Sequence, residues 1–197
     1  MVINTVKEKE SCFVINNTIS VLKDSENPDY QRIQKWILDG GIVEPEFSLA
    51  QLKANKITEI KAIRDAKNIE VVDDTQAIVL DEEGNPTENT SYFIFYTNRH
   101  PTNPAADPGS ILTGAVVLNQ TIPYSTKSPE GEKITVALTP DIARSLSVHI
   151  ALRNNNNYKL ADVITEIING LNPSVEKTEA QIRAEIEAIT WSVEYLE

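Results

Sequence analysis

The sequence predicts an α+β fold in three parts. These are a small N-terminal β-plus-helix module over residues 1–47, a linking helix over 48–68, and a C-terminal α+β domain over 69–197 in which a β-region is followed by helices. Three observations lead there. Apolar and polar residues alternate in places between residues 2 and 24, just before a proline-started helix. Tyr92-Phe93-Ile94-Phe95-Tyr96 is the most β-prone run in the chain. From Thr139-Pro140-Asp141 onward the apolar spacing is that of helices.

In the first module, Val2, Cys12, Val14, Ile19 and Val21 mark two or three short strands, with a turn at Asn16-Asn17. Asn27 can cap a helix, Pro28 suits its first position, and Asp29 suits the positive end of its dipole. Tyr30, Ile33, Trp36 and Ile37 share one face, and Gly40-Gly41 ends the helix. Residues 42–47, with Pro45 and two glutamates, read as a linker. Ser48 with Gln51 forms a capping box that opens the next helix, whose apolar positions run from Leu49 to Ala66.

Ile69–Val72, Ala77–Leu80 and Tyr92–Tyr96 are candidate strands, with Gly84-Asn85-Pro86 in a turn before the last. Arg99–Gly109 holds three prolines and reads as a loop. Residues 110–122 are open to two readings: Val116-Val117 favour a strand, while Ser110, Leu112, Ala115 and Leu118 allow a helix. Ile122–Thr126 and Lys133–Leu138 bracket Pro129-Glu130-Gly131 as a hairpin. In the helical last third, Asn154–Asn157 breaks or weakens the first helix, because asparagine side chains compete for backbone hydrogen bonds. Gly170 stops the apolar run, Pro173 and Ser174 form a hinge, and Thr178 with Gln181 caps a final helix to the C-terminus.

Composition excludes some function classes. The net charge of −11 and the absence of a Lys/Arg cluster argue against nucleic-acid binding, since phosphates would be repelled. No apolar run approaches the roughly 18 residues of a membrane span, and no N-terminal stretch resembles a signal peptide. The expectation is a protein made in a cytoplasm. The sequons at Asn16, Asn89 and Asn119 then carry no meaning.

The residue patterns also fail to specify catalysis. His100 and His149 have no ligand-spaced Cys, Asp or Glu on the same element, and the common nucleophile, metal and phosphate motifs are missing. His149, three residues after Leu146, reads as a partly buried structural histidine. Cys12, the single cysteine, reads as a small buried hydrophobe. Asp73-Asp74 and Asp81-Glu82-Glu83 read as strand-end carboxylates, the second run at a solvated hairpin tip. No cofactor and no metal is expected, and the chain is read as non-enzymatic. Tyr92, Tyr96 and Tyr124 lie on candidate strands, where rings can stack on sugars, although most such rings belong to cores.

Candidate partner-binding residues are Tyr30 and Trp36 in the first helix, and Ile182, Ile186, Ile189, Val193 and Leu196 in the last. The five apolar residues of the last helix follow a heptad-like spacing, but the stretch is shorter than the three to four heptads that specify a coiled coil. A partner seam and a helix packed on its own domain therefore have equal claim. Trp191 and Tyr195 lie off this seam and could cover a partner, because aromatics often anchor interfaces.

Two stretches resemble a family of phage tail-associated proteins of unassigned activity. The first is Asn27-Pro28-Asp29-Tyr30 through Trp36, Gly40-Gly41 and Pro45, which is similar to a segment near the start of small tail-fibre and fibre-assembly proteins. The second begins with Ile63-Arg64-Asp65 and Lys67. It continues, after a β-region, with Ser110-Ile111-Leu112-Thr113-Gly114-Ala115, then Val136-Ala137-Leu138-Thr139-Pro140-Asp141, and then a helical tail with Tyr158, Leu160 and Ile164. Order rather than any one motif carries the resemblance, which spans most of residues 27–190. It implies a helix over 110–121 and transfers no catalytic residue. The chain departs from the pattern in an enlarged β-region at 73–98, an apparent insertion at Pro101–Pro108, and the lack of a tryptophan before the Leu-Thr helix, where Tyr124 is the nearest aromatic.

The resemblance implies a bacteriophage virion structural protein: a tail adaptor, or an accessory subunit of the tail fibre or baseplate. Its expected partners are other tail proteins of the fibre or baseplate, with a second copy of itself as a further candidate. Its expected place is the virion tail. The alternatives are a tail-fibre assembly chaperone absent from the mature virion, and a host-glycan receptor-binding module. A glycan hydrolase comes last.

Overall fold

The computed structural model describes residues 2–98 and 107–196. His100 and most of the proline-rich loop lie outside the described residues. The class is α+β, with five α-helices and two four-stranded sheets among the described residues. Contacts divide the chain into two units, Met1–Lys56 with Asn172–Glu187, and Ile57–Leu171 with Ala188–Glu197. The division differs from the three-part sequence reading. It falls inside the expected linking helix, and the segment after Leu171 returns to the first unit. Apolar periodicity locates elements but carries no signal of which distant elements share a core.

The first unit opens with strands β1 (Val6–Glu8), β2 (Cys12–Ile15) and β3 (Ile19–Leu22), followed by helix α1 (Pro28–Leu38) and the two-residue strand β4 (Val43–Glu44). The sheet order is β3-β2-β1-β4, antiparallel except for the β1–β4 pair. Asn16 and Asn17 both take positive φ, 50° and 60°, as the expected turn demands, and the Ile15 carbonyl accepts from the Thr18 N–H. Val6, Phe13, Ile15 and Val21 point to one face and form the core with Ile33 of α1. The linker reading of 42–47 is corrected in part, since Val43 pairs with Val6 and becomes sheet.

Helix α1 begins and ends as its sequence predicts. The Asn27 side chain accepts from the Asp29 N–H. At the other end, Gly40 N–H donates to the Ile37 carbonyl and Gly41 N–H to the Trp36 carbonyl, a Schellman closure with Gly40 at φ 95°. Gly41 is required for a second reason. A Cβ there would lie 2.3 Å from the Trp36 ring.

Helix α2 (Leu49–Asn68) starts on the reciprocal Ser48–Gln51 capping box, with Ser48 N–H to Gln51 Oε1 at 2.9 Å and Gln51 N–H to Ser48 Oγ at 3.2 Å. Helix α5 (Glu179–Ala188) is later opened in the same way by Thr178 and Gln181.

In the second unit, the two strands expected at Ile69–Val72 and Ala77–Leu80 are one strand, β5 (Val72–Leu80), paired with β6 (Pro86–Phe95). The register slips between Val72 and Thr75. This bulge places an extra residue on β5, which lets Asp73 and Asp74 both stay exposed inside a strand. The turn between β5 and β6 uses Gly84 at φ 85°, and Asp81 accepts from the Asn85 N–H at 2.7 Å. Asp81-Glu82-Glu83 is thus the solvated hairpin tip that the sequence suggests.

Helix α3 (Pro108–Val117), capped by Asp107, settles the two readings of 110–122 in favour of the helix. Val116 and Val117 are its last turn. Asn119, at φ 50°, closes it as Gly40 closes α1, with its N–H on the Val116 carbonyl and Gln120 N–H on the Ala115 carbonyl. Strands β7 (Ile122–Lys127) and β8 (Lys133–Leu138) form the expected hairpin, with Gly131 at φ 94°.

The second sheet runs β6-β5-β8-β7, although β8 meets β5 only at Val136–Val79. Its outer strands also meet each other. Thr126 Oγ1 donates to the Ile94 carbonyl, and the Phe95 and Tyr124 rings lie 5.3 Å apart. The sheet is therefore rolled. Phe93, Phe95, Val136 and Leu138 form its core with Leu112 and Ala115 of α3 and Ala143 and Leu146 of α4.

Helix α4 (Pro140–Gly170) runs without interruption through Asn154–Asn157, so of the two effects expected there a break does not occur. Two of the four asparagine side chains are held by other side chains rather than by the helix backbone. Asn157 Nδ2 donates to Asn68 Oδ1 at 2.9 Å, and Asn154 Oδ1 accepts from Arg153 Nε. The far half of α4, with Leu160, Ala161, Ile164 and Ile168, packs with Ile60 of α2 and with Ile189 in a second cluster of this unit.

Arg153, half-buried, is the main polar node of the second unit. Its Nη1 donates to the Glu70 carbonyl at 2.7 Å and its Nη2 to the Asn68 carbonyl at 2.7 Å. It thereby satisfies carbonyls at the C-terminal end of α2, where a cation also suits the helix dipole. Thr97 Oγ1 donates to the same Glu70 carbonyl. Burial lowers the Arg153 pKa, and the Glu70 charge opposes the shift. Arg153→Ala is expected to cost about 2 kcal/mol, the scale of losing charged hydrogen bonds to partly buried carbonyls. Arg153→Lys should recover only part of it, because an ammonium cannot span both carbonyls as the guanidinium fork does. Urea denaturation of the three proteins measures both.

Candidate functional site

The candidate partner residues fall into two groups. Tyr30 and Trp36 are half-buried against the core of the first unit. The Tyr30 ring stacks on Phe13 with centroids 6.0 Å apart, and the Trp36 ring covers Gly41. Most of each ring is engaged within its own module.

The second group does not form the single helical face that the heptad spacing suggests. Helix α5 stops at Ala188, and Val193–Leu196 is a separate 3-10 turn. Ile182 and Ile186 lie on α5 and are buried, at 1% and 0% exposure. Ile189 lies beyond the helix and is buried in the second cluster of the second unit, where Trp191 and Tyr195 also pack. Val193 and Leu196 are exposed. The physical reason is local. Ile189-Thr190 is β-branched and disfavours helix, and Ser192 Oγ accepts the Glu194 N–H to start a new turn.

His149 is exposed on α4 rather than partly buried. The buried stripe runs through Ala143 and Leu146 to the half-buried Ile150, so His149 sits just outside it, beside the exposed Val148 and Leu152. Cys12 is half-buried, directly across from Leu22 on the sheet face away from Phe13 and Val21. Among the described residues no group of three or more His, Cys, Asp or Glu is arranged to hold a metal ion, and no helix is long and apolar enough to cross a membrane.

An open groove of about 680 Å³ lies in the second unit. Its walls are the end of β5 with Asp81 and Glu82, Tyr96 just past β6, Ser125–Lys127 of β7 and Lys133–Thr135 of β8. The two-residue period of a strand sorts the hairpin side chains. Tyr124, Ile134 and Val136 turn to the core, while Ser125, Lys127, Lys133 and Thr135 share the opposite face. On that face Ser125 and Thr135 are cross-strand partners with hydroxyls 3.1 Å apart, and Lys127 stands directly opposite Lys133.

The groove wall is held from behind. Burial pushes the Tyr124 phenol above its ordinary pKa, while hydrogen bonding to the Tyr96 backbone and to Thr126 works the other way. The Thr126 hydroxyl donates to the Ile94 carbonyl and ties β7 to β6 there.

Of the groove residues, sequence reading singled out Tyr96 and the Asp81-Glu82 run, and passed over Ser125, Lys127, Lys133 and Thr135. Their signal was present in the hairpin. Residues flanking Pro129-Glu130-Gly131 at matched distance face each other, so a lysine on each side predicts a cross-strand pair.

Compared with known proteins, the chain matches no family model, no curated protein and no solved structure.

Proposed function

We propose that this chain is a bacteriophage virion structural protein, an adaptor or accessory subunit of the tail, tail fibre or baseplate that acts through protein–protein contacts. The order of its segments carries the reading. A helix with Arg64-Asp65, a β-region, the Ser110–Ala115 helix, a hairpin and the Leu138-Thr139 helix follow one another as in the phage tail-associated proteins that the sequence resembles. In this chain those segments are α2, β5–β6, α3, β7–β8 and α4. Exposed apolar side chains give such contacts material to bury: Leu38 and Ile42 in the first unit, and Val148, Leu152 and Val193 in the second.

Co-expression of the full chain with the neighbouring fibre and baseplate genes, followed by affinity purification and mass determination, tests the reading together with immunoblots of purified virions. A complex of defined stoichiometry and the chain's presence in virions are expected. A complex without the chain in virions would replace this reading with an assembly chaperone. No complex and no chain in virions would overturn the tail assignment altogether.

A further inference from the structure

We infer that the groove of the second unit is a binding site for an acidic oligosaccharide, with a sugar face on Tyr96 and a carboxylate or sulfate between Lys127 and Lys133. The inference is independent of the tail reading and starts from an electrostatic anomaly. Lys127 and Lys133 are directly opposed across the β7–β8 pair. Like charges so placed destabilise a hairpin, and neither side chain has a salt bridge among the described residues. The rest of the molecule is acidic, at net charge −11, so an unneutralised lysine pair on a concave wall is a local exception. An anionic group bridging the two ammoniums would relieve their repulsion.

The neighbouring chemistry narrows the ligand. Ser125 and Thr135 offer a pair of hydroxyls that donate or accept in either sense, which matches the alternating donor and acceptor character of sugar hydroxyls. Tyr96, 40% exposed, presents a ring to the same groove, and a ring can cover the apolar face of a pyranose. Asp81 and Glu82 also line the groove, at the end of β5, and Asp81 accepts from the Asn85 N–H, so the anion-binding part is the Lys127–Lys133 end. A fully apolar ligand would leave the two lysines without a counter-charge. A polyphosphate would find the lysines but no use for the ring.

The test is an amide chemical-shift titration of the full chain with tetragalacturonate and with a heparin-derived tetrasaccharide, using maltotetraose as the uncharged reference. Shifts are expected at Tyr96, at Ser125–Lys127 and at Lys133–Thr135, with at least one acidic probe binding more tightly than maltotetraose. K127Q combined with K133Q should weaken that binding about tenfold or more, the scale of losing charged hydrogen bonds. Tyr96→Ala should weaken it by several-fold while leaving the spectrum of the core unchanged. Absence of groove shifts with both acidic probes would overturn the proposal. So would equal binding of maltotetraose with no effect of the lysine substitutions, or shifts confined to another surface.

Discussion

Phe93→Ala is expected to destabilise the second unit by about 3–5 kcal/mol, the range for truncating a buried aromatic. The residue is fully buried, and its ring meets Tyr124 edge-on at 6.1 Å. Tyr124 is the residue that joins β7 to the end of β6, so the loss would reach beyond a cavity. It would loosen the contact that rolls the sheet. Two outcomes separate these effects. Phe93→Leu keeps most of the volume and should cost less than Phe93→Ala, as urea midpoints can measure. Near-ultraviolet circular dichroism should change more for Phe93→Ala than the loss of one phenylalanine explains, because the tyrosine environment moves with it. A cost below about 1 kcal/mol for the alanine variant would contradict the burial described for this ring.

Ile186→Ala is expected to cost about 2–5 kcal/mol, whereas Val193→Ala should stay within about 0.5 kcal/mol. The two residues belong to one heptad-like series in the sequence. The fold separates them into a fully buried position on α5 and an exposed position on a 3-10 turn. If the series were instead an exposed seam on one continuous helix, both substitutions would be mild in the isolated chain and both would weaken self-association. Denaturant titration and sedimentation of the two variants therefore distinguish the arrangements.

Local structure was largely legible from the residues because it is written in local chemistry. Asn27-Pro28, Ser48 with Gln51 and Thr178 with Gln181 each satisfy helix-start N–H groups from within a few positions, and each cap forms as expected. The positive-φ positions Asn16, Asn17, Gly40 and Gly131 sit in the turns and helix end where the sequence placed them. Misreadings arose where a distant partner decided the outcome. Asn154–Asn157 stays helical, with Asn157 held by the distant Asn68. Asp73-Asp74 lies within a strand because a bulge spares both carboxylates from burial. At Val116-Val117 the residues alone left strand and helix open, and the helix implied by the resemblance is the one that forms, with Leu112 and Ala115 on the same turns buried against the sheet.

The candidate site follows the same division. Tyr96 stood out by residue type, but the lysine and hydroxyl pairs become a site only through the register of β7 and β8. Conversely, Ile182 and Ile186 carried a plausible interface pattern that their burial explains without any partner.

The assignment of residues 172–187 to the first unit bears on how the chain is made. A ribosome delivers Met1–Lys56 early, yet that unit's last segment follows only after the whole of α4 has been synthesised. The core of its sheet, Val6, Phe13, Ile15, Val21 and Ile33, is complete by then, so the first unit is finished in two instalments, its sheet and α1 before α4 and its α5 segment after it. A stop between Leu171 and Glu187 would therefore leave that early core whole while removing the later segment of the first unit and the Ile189 contribution to the second.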